Sequence, residues 1–120
     1  PMSGQMGHFN VYAPERITYA IERYDSEVRR LHRVMDKRLS GSAYLGGDEY
    51  GIADMASYPW IGPYSKLPAD FDAFPHLHRW HQAIAMRPAT QRAYALGPTV
   101  NPDAGKPLSE EERRQLFGQR

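Results

Sequence analysis

The feature that most constrains this chain is the apolar spacing across residues 14–39. Apolar or aromatic side chains recur at Ile17, Ile21, Tyr24, Val28, Leu31, Met35 and Leu39. Every step is three or four residues, which places all seven on one face of a long amphipathic helix. Pro14 suits a first helical position and Glu15 the positive end of the helix dipole. Lys37 and Arg38 fall in the last turn, and Gly41 follows as the stop. Glu22, Arg29, Arg30, Arg33 and Asp36 lie opposite and read as a mostly solvated face.

A chain of 120 residues that commits a long segment to one such helix has room for a single core. The pattern continues helical downstream. Gly51 opens a second helix, with Asp54 where a carboxylate reaches back to the cap amide, and Tyr50 and Met55 at staple spacing. Ile52, Met55, Ala56, Tyr58, Trp60 and Ile61 leave that segment apolar nearly all round, so it is expected at the centre of the domain, kinked at Pro59. Residues 64–73 read as a loop. Pro75 starts a third helix whose buried face is Leu77, Trp80 and Ile84; the Arg87-Pro88 step breaks it, and Pro88 starts a short helix through Ala93 and Leu96. Residues 1–13 read as a loop or the end of a preceding element, with Gly4 and Gly7. Residues 97–108, rich in glycine and proline, predict an extended linker, and Ser109 with Glu112 forms a capping box opening a polar helix. No segment shows strand periodicity. The expectation is therefore an all-α fold, a helical domain over residues 1–96 and an extended tail over residues 97–120.

Charge and composition exclude several classes. Net charge is +1 and the isoelectric point about 8.6, too balanced to argue for nucleic acid or an anionic membrane as partner. No apolar run approaches the ~20 residues of a membrane span. Mean hydropathy is low at −0.68, which points to a polar tail or a surface that meets something else. Cysteine is absent, so the chain offers no disulfide, thiolate metal ligand or cysteine nucleophile, in keeping with a reducing cytoplasm. It starts at Pro1 rather than methionine, and part of a longer protein is expected.

Four groups of residues merit chemical scrutiny. His76, His78 and His81 form an H-x-H-x-x-H run, but His76 falls at the helix start and points away from the other two; polar residues around a buried Trp80 stripe is the better reading, and no metal site is expected. His8, Phe9, Asn10 and Tyr12 combine donors, acceptors and aromatic faces, and serve equally as a pocket lining or as an exposed loop with a packed Phe9. Arg23, beside the apolar stripe, can clamp a carboxylate ligand or pair within the helix, with Glu27 four residues on or with neighbouring Glu22; the residues alone favour the pair. Asp54 is explained by capping rather than as a catalytic acid.

Gly51-Ile52-Ala53-Asp54-Met55-Ala56, followed by Tyr58-Pro59-Trp60, resembles the capping-box helix of glutathione transferase C-terminal domains. Phe74-Pro75-His76-Leu77, Trp80 and Arg87-Pro88-Ala89 follow at that family's spacing. The stretch from Gly4 to Tyr24 and the tail around Lys106-Pro107-Leu108-Ser109 are similar to a narrower group, the bacterial Nu-class transferases or disulfide-bond reductases. The chain departs at Gly51, where the family has serine or threonine; loss of that acceptor costs a few tenths of a kcal/mol, about what glycine loses at a cap. The resemblance implies a helical bundle that partners a thioredoxin-like domain, which binds glutathione and stabilises its thiolate. That thiolate would attack a small disulfide, peroxide or electrophile, in a full-length homodimer. Glutathione would be a co-substrate, with no other cofactor and no catalytic residue within this chain. It also implies that Arg23 contacts glutathione bound by the partner subunit, that His8, Phe9, Asn10 and Tyr12 lie beside the electrophile pocket, and that Trp60 anchors the core. The alternative is a non-catalytic interaction or regulatory module of the same fold.

Overall fold

The computed structural model describes residues 1–62, 69–103 and 106–118. These are helical, with no strand among the described residues and one isolated bridge between Tyr44 and Gly47. They divide into two compact units, Pro1–Met86 and Arg87–Arg120. The division drawn from sequence at 96 and 97 marks where the linker chemistry begins; the compact units part earlier, at the Arg87-Pro88 step.

In the first unit, α2 (Thr18–Leu39) is the spine. α1 (Met2–Gly7) and α4 (Pro75–Ala85) both pack on it. Its buried side chains are Ile21, Val28, His32 and Leu39. The predicted stripe is thus correct in phase, but the helix begins at Thr18 after an extended Ile17, not at Pro14, and Ile17 is exposed. Of the two expectations for residues 1–13, a loop or the end of a preceding element, the structure has no loop there but helix. α1 runs into a π-helical turn, His8–Tyr12, because Met6 is buried, and tertiary packing overrides the glycines that suggested irregular chain.

Two polar contacts between elements were not expected. Asp36 is not merely solvated: its Oδ1 accepts from the Leu77 amide at 2.9 Å, so a side chain of α2 caps the start of α4. In return Arg79 donates from Nη2 to the carbonyls of Leu39 and Ser42, at 2.9 and 3.0 Å, closing the C-terminal end of α2.

The deepest polar group is Asp54 on α3 (Ile52–Ser57), fully buried. Its Oδ2 accepts the Gly51 amide at 3.0 Å, the predicted half of the capping box. Its Oδ1 accepts the Leu45 amide at 2.9 Å and the Trp80 indole Nε1 at 2.7 Å. Leu77, Trp80 and Ile84 are fully buried, as their spacing predicted. The α3 region departs from expectation. The helix is one and a half turns long and passes into a 3₁₀ turn, Tyr58–Trp60, at Pro59. Only Asp54, Tyr58 and Ile61 are buried there; Ile52 is 82% exposed, Met55 54% and Trp60 56%. Trp60 therefore does not anchor the core; Trp80 does. Gly62 has φ +81, and a Cβ on it would fall 2.6 Å from His81 Nε2, so this position needs glycine twice over.

The second unit contains α5 (Pro88–Ala95), α6 (Gly97–Val100) and α7 (Glu110–Phe117), none with a buried residue. α6 interrupts what the sequence predicted as an extended linker. α7 opens as predicted: Glu112 Oε2 accepts the Ser109 amide at 2.8 Å, and Ser109 Oγ accepts the Glu112 amide at 3.3 Å. It closes on Gly118 in the left-handed region. Much of the loop expected over residues 64–73 lies outside the described residues.

Candidate functional site: an arginine and a cavity on α2

Arg23 stands exposed in the second turn of α2. The intrahelical partner predicted for it, Glu27, is already taken. Arg30 holds Glu27 in a two-point fork, Nε to Oε2 and Nη2 to Oε1, both 2.8 Å. That bond holds the Glu27 carboxyl below its ordinary range, and the charges of Arg30 and Arg23 push the same way. Arg23 itself makes no hydrogen bond or salt bridge with any described residue. It lies in a shallow depression of about 420 Å³ with Tyr19, Glu22, Ser26, Glu27 and Arg30. What remains at Arg23 is a guanidinium with its donors available and a weak through-space pull toward Glu27.

The structure brings His8, Phe9, Asn10 and Tyr12 together on the π-helical turn. Phe9 stacks on Tyr24 of α2 at 5.4 Å, and His8 meets Phe9 edge-on at 5.1 Å. Asn10 Nδ2 donates to the Met6 carbonyl at 3.0 Å and to Asp25 Oδ1 at 2.9 Å. Phe9 and Asn10 thereby fasten the N-terminal segment to α2. The cavity beside them is lined by other residues.

That cavity, of about 370 Å³, opens against the middle of α2. Met6, Val28 and Phe74 give it apolar walls, while Asp25, Ser26, Arg29 and Asp70 surround its mouth. Arg29 Nη1 pairs with Asp70 Oδ2 at 3.0 Å, half exposed, and its guanidinium lies over the Phe74 ring at 5.5 Å. His32 completes the lining. It is buried, edge-on to Phe74 at 6.0 Å, and its Nε2 has no hydrogen-bond partner. Burial, with the Arg29 charge adding to it, lowers the pKa of this imidazole. In the sequence His32 stands four residues after Val28 on an otherwise apolar stripe, and that polar interruption is its legible signal.

Of the three histidines in the H-x-H-x-x-H run, His76 is exposed at the start of α4, while His78 and His81 are used in packing. His78 stacks on Phe71 at 4.7 Å, and His81 stacks on Tyr58 at 4.7 Å with Phe71 tilted against it at 5.2 Å. Burial also lowers the His81 pKa, partly offset by a hydrogen bond to the Ile61 backbone. Among the described residues no three of histidine, cysteine, aspartate or glutamate are placed to hold a metal ion. No helix among them is long and apolar enough to cross a membrane.

Residues 12–88 match the family profile described as glutathione S-transferase, C-terminal domain. The disulfide-bond oxidoreductase YfcG of Escherichia coli is 47% identical over 93 residues, 78% of this chain and 43% of that protein. The disulfide-bond oxidoreductase YghU of the same organism is 41% identical over 109 residues, 84% of this chain and 38% of that protein. A glutathione transferase from Burkholderia graminis, solved with two glutathione molecules bound per subunit, superposes with a TM-score of 0.69 at 31% identity, over 88% of this chain and 44% of that one. The chain thus spans less than half the length of the relatives it matches. By that profile and these identities the chain belongs to the glutathione S-transferase family through that family's C-terminal domain.

Proposed function

We propose that this chain is the helical, substrate-side domain of a glutathione-dependent disulfide reductase, and that Arg23 binds a glutathione carboxylate. The observation that carries the assignment is the state of Arg23: Arg30 occupies Glu27 at two points, leaving Arg23 with no bond to a described residue. A planar guanidinium with available donors suits a carboxylate. The names of the two E. coli relatives support the disulfide chemistry.

The reaction consumes two glutathiones. One glutathione thiolate attacks a sulfur of the small disulfide, forming a mixed disulfide and expelling a thiolate that takes up a proton. A second glutathione thiolate attacks the glutathione sulfur of that intermediate, giving oxidised glutathione and the second reduced thiol. The B. graminis transferase, with two glutathiones per subunit, accommodates that stoichiometry. Peroxides and other electrophiles are accessible to the same thiolate. This chain contributes no thiol, having no cysteine, and no catalytic residue; glutathione is the co-substrate and no other cofactor is invoked. The thiolate is activated by a thioredoxin-like domain, which covers the exposed strip of Ile52, Met55 and Trp60. The two-domain protein is a homodimer of the reducing cytoplasm, and His8, Phe9, Asn10 and Tyr12 border the second-substrate site.

The test is turnover of a small symmetrical disulfide such as cystamine. The protein that joins this chain to a thioredoxin-like domain should reduce it only with glutathione present, and the 120-residue chain alone should not exceed the no-protein control. Turnover by the chain alone, or glutathione-independent turnover, contradicts the assignment.

A further inference from the structure

We propose that Arg30 is a positioning residue for glutathione: by holding Glu27 at both carboxylate oxygens, it keeps Arg23 open for the carboxylate of the ligand. The inference rests on the assignment of Arg23 to glutathione, and adds to it the residue that keeps that arginine available.

Arg23, Glu27 and Arg30 stand four and three residues apart on α2 and line one depression. Side chains at these spacings are neighbours on a helix surface, so Glu27 is within reach of both arginines. It pairs with Arg30, which follows it in the chain, and acid before base is the order the helix favours. Arg30 Nε donates to Oε2 and Nη2 to Oε1, both at 2.8 Å, so each carboxylate oxygen already has a guanidinium donor. Such a two-point fork needs the planar guanidinium; a lysine ammonium meets a carboxylate as a point charge. The Glu27 carboxyl lies below its ordinary range, first through this bond and then through the charges of Arg30 and Arg23, so Arg23 is near enough to compete. Glu22, the other acid of the depression, is adjacent to Arg23 in sequence, and successive residues of a helix do not face each other.

Without Arg30, two effects would act against the ligand. An exposed pair four residues apart would occupy Arg23 about half of the time. The bare Glu27 carboxylate, ~6 Å from the bound carboxylate, would repel it and weaken binding about threefold in water. Arg30 suppresses both effects through Glu27, with no contact of its own to glutathione.

The experiment is calorimetry of glutathione binding to the two-domain protein. Arg30→Met should weaken binding about fivefold, close to the product of the two effects. Glu27→Gln/Arg30→Met removes the interfering carboxylate as well, and should return the affinity to within about twofold of the wild type. Arg30→Lys, which keeps the charge and loses the fork, should fall between the wild type and Arg30→Met. Arg33→Met removes an exposed arginine one turn further along α2, and should stay within about twofold of the wild type because it leaves the fork intact. Arg23→Ala separates two kinds of failure. If it leaves the affinity unchanged, the glutathione assignment falls and this inference with it. If Arg23→Ala weakens binding and Arg30→Met does not, the inference alone is overturned. It is also overturned if the double variant binds as weakly as Arg30→Met, or if Arg33→Met matches Arg30→Met, because Arg30 would then act by its own charge and not through Glu27.

Discussion

Replacing Asp54 by alanine should bring this domain close to unfolding. The carboxylate is fully buried and accepts three hydrogen bonds, from the Leu45 and Gly51 amides and the Trp80 indole. Alanine leaves all three donors without it, and Trp80 is itself fully buried. A hydrogen bond to a charged group contributes about 1.5–3 kcal/mol, but bonds sharing one acceptor group do not add in full. A loss of about 3–5 kcal/mol follows, against a total stability of about 5–15 kcal/mol for a typical domain. Asparagine gives the internal control. Its amide oxygen can still accept from Leu45 and Trp80, where Oδ1 accepts now, but its NH₂ then faces the Gly51 N–H, donor against donor. That change should cost about 1.5–3 kcal/mol. Urea unfolding followed by far-ultraviolet circular dichroism should therefore rank the wild type above Asp54→Asn, and Asp54→Asn above Asp54→Ala. With a slope of about 2 kcal/mol per molar urea, the alanine midpoint should fall by about 2 M. An alanine midpoint within about 0.5 M of the wild type would refute the reasoning, because it would mean that the buried donors find other partners at no cost.

Other substitutions and conditions test separate parts of the account. Gly62→Ala combines a left-handed backbone with a Cβ 2.6 Å from His81, and should cost about 2–4 kcal/mol in the same unfolding assay; a change under about 0.5 kcal/mol would show that the turn relaxes. Burial lowers the pKa of His32 and His81 from the ordinary 6.5, so the unfolded chain binds more protons and stability should fall as pH drops below about 6.5; a midpoint flat from pH 7 to 5 would contradict this sign. Iodide should quench Trp60, more than half exposed, while Trp80 stays protected, as read from the Trp60→Phe and Trp80→Phe proteins one at a time; in the two-domain protein the Trp60 quenching should decline. The opposite ranking would place Trp60 in the core after all.

The helices were legible in the sequence where one face alone decides burial. Leu77, Trp80 and Ile84 are buried at the positions their spacing predicts, and Ser109 with Glu112 caps α7 by local hydrogen bonds that depend on nothing distant. Reading failed where the outcome depends on what a segment meets. α1 exists because Met6 finds α2, and no local pattern around Gly4 and Gly7 announces that contact. Ile52, Met55 and Trp60 look like core residues by composition, but their burial would need a surface that the described residues do not supply. Asp36 reads as a surface charge until α4 is placed over it. At the site, the position of Arg23 on α2 could be read from periodicity, whereas its separation from Glu27 could not. Three charged residues, Arg23, Glu27 and Arg30, stand within reach on one helix face, and only side-chain geometry selects which pair forms. His32 was open to reading as a polar interruption of the stripe, but the cavity it lines is built from three distant segments.

The most direct test of the glutathione assignment is calorimetry on the two-domain protein, comparing glutathione affinity before and after Arg23→Ala. Loss of a hydrogen-bonded carboxylate should weaken binding by about 1.5–3 kcal/mol, roughly tenfold to more than a hundredfold. An unchanged affinity would remove Arg23 from the binding site and leave the helical fold without its proposed contact to glutathione.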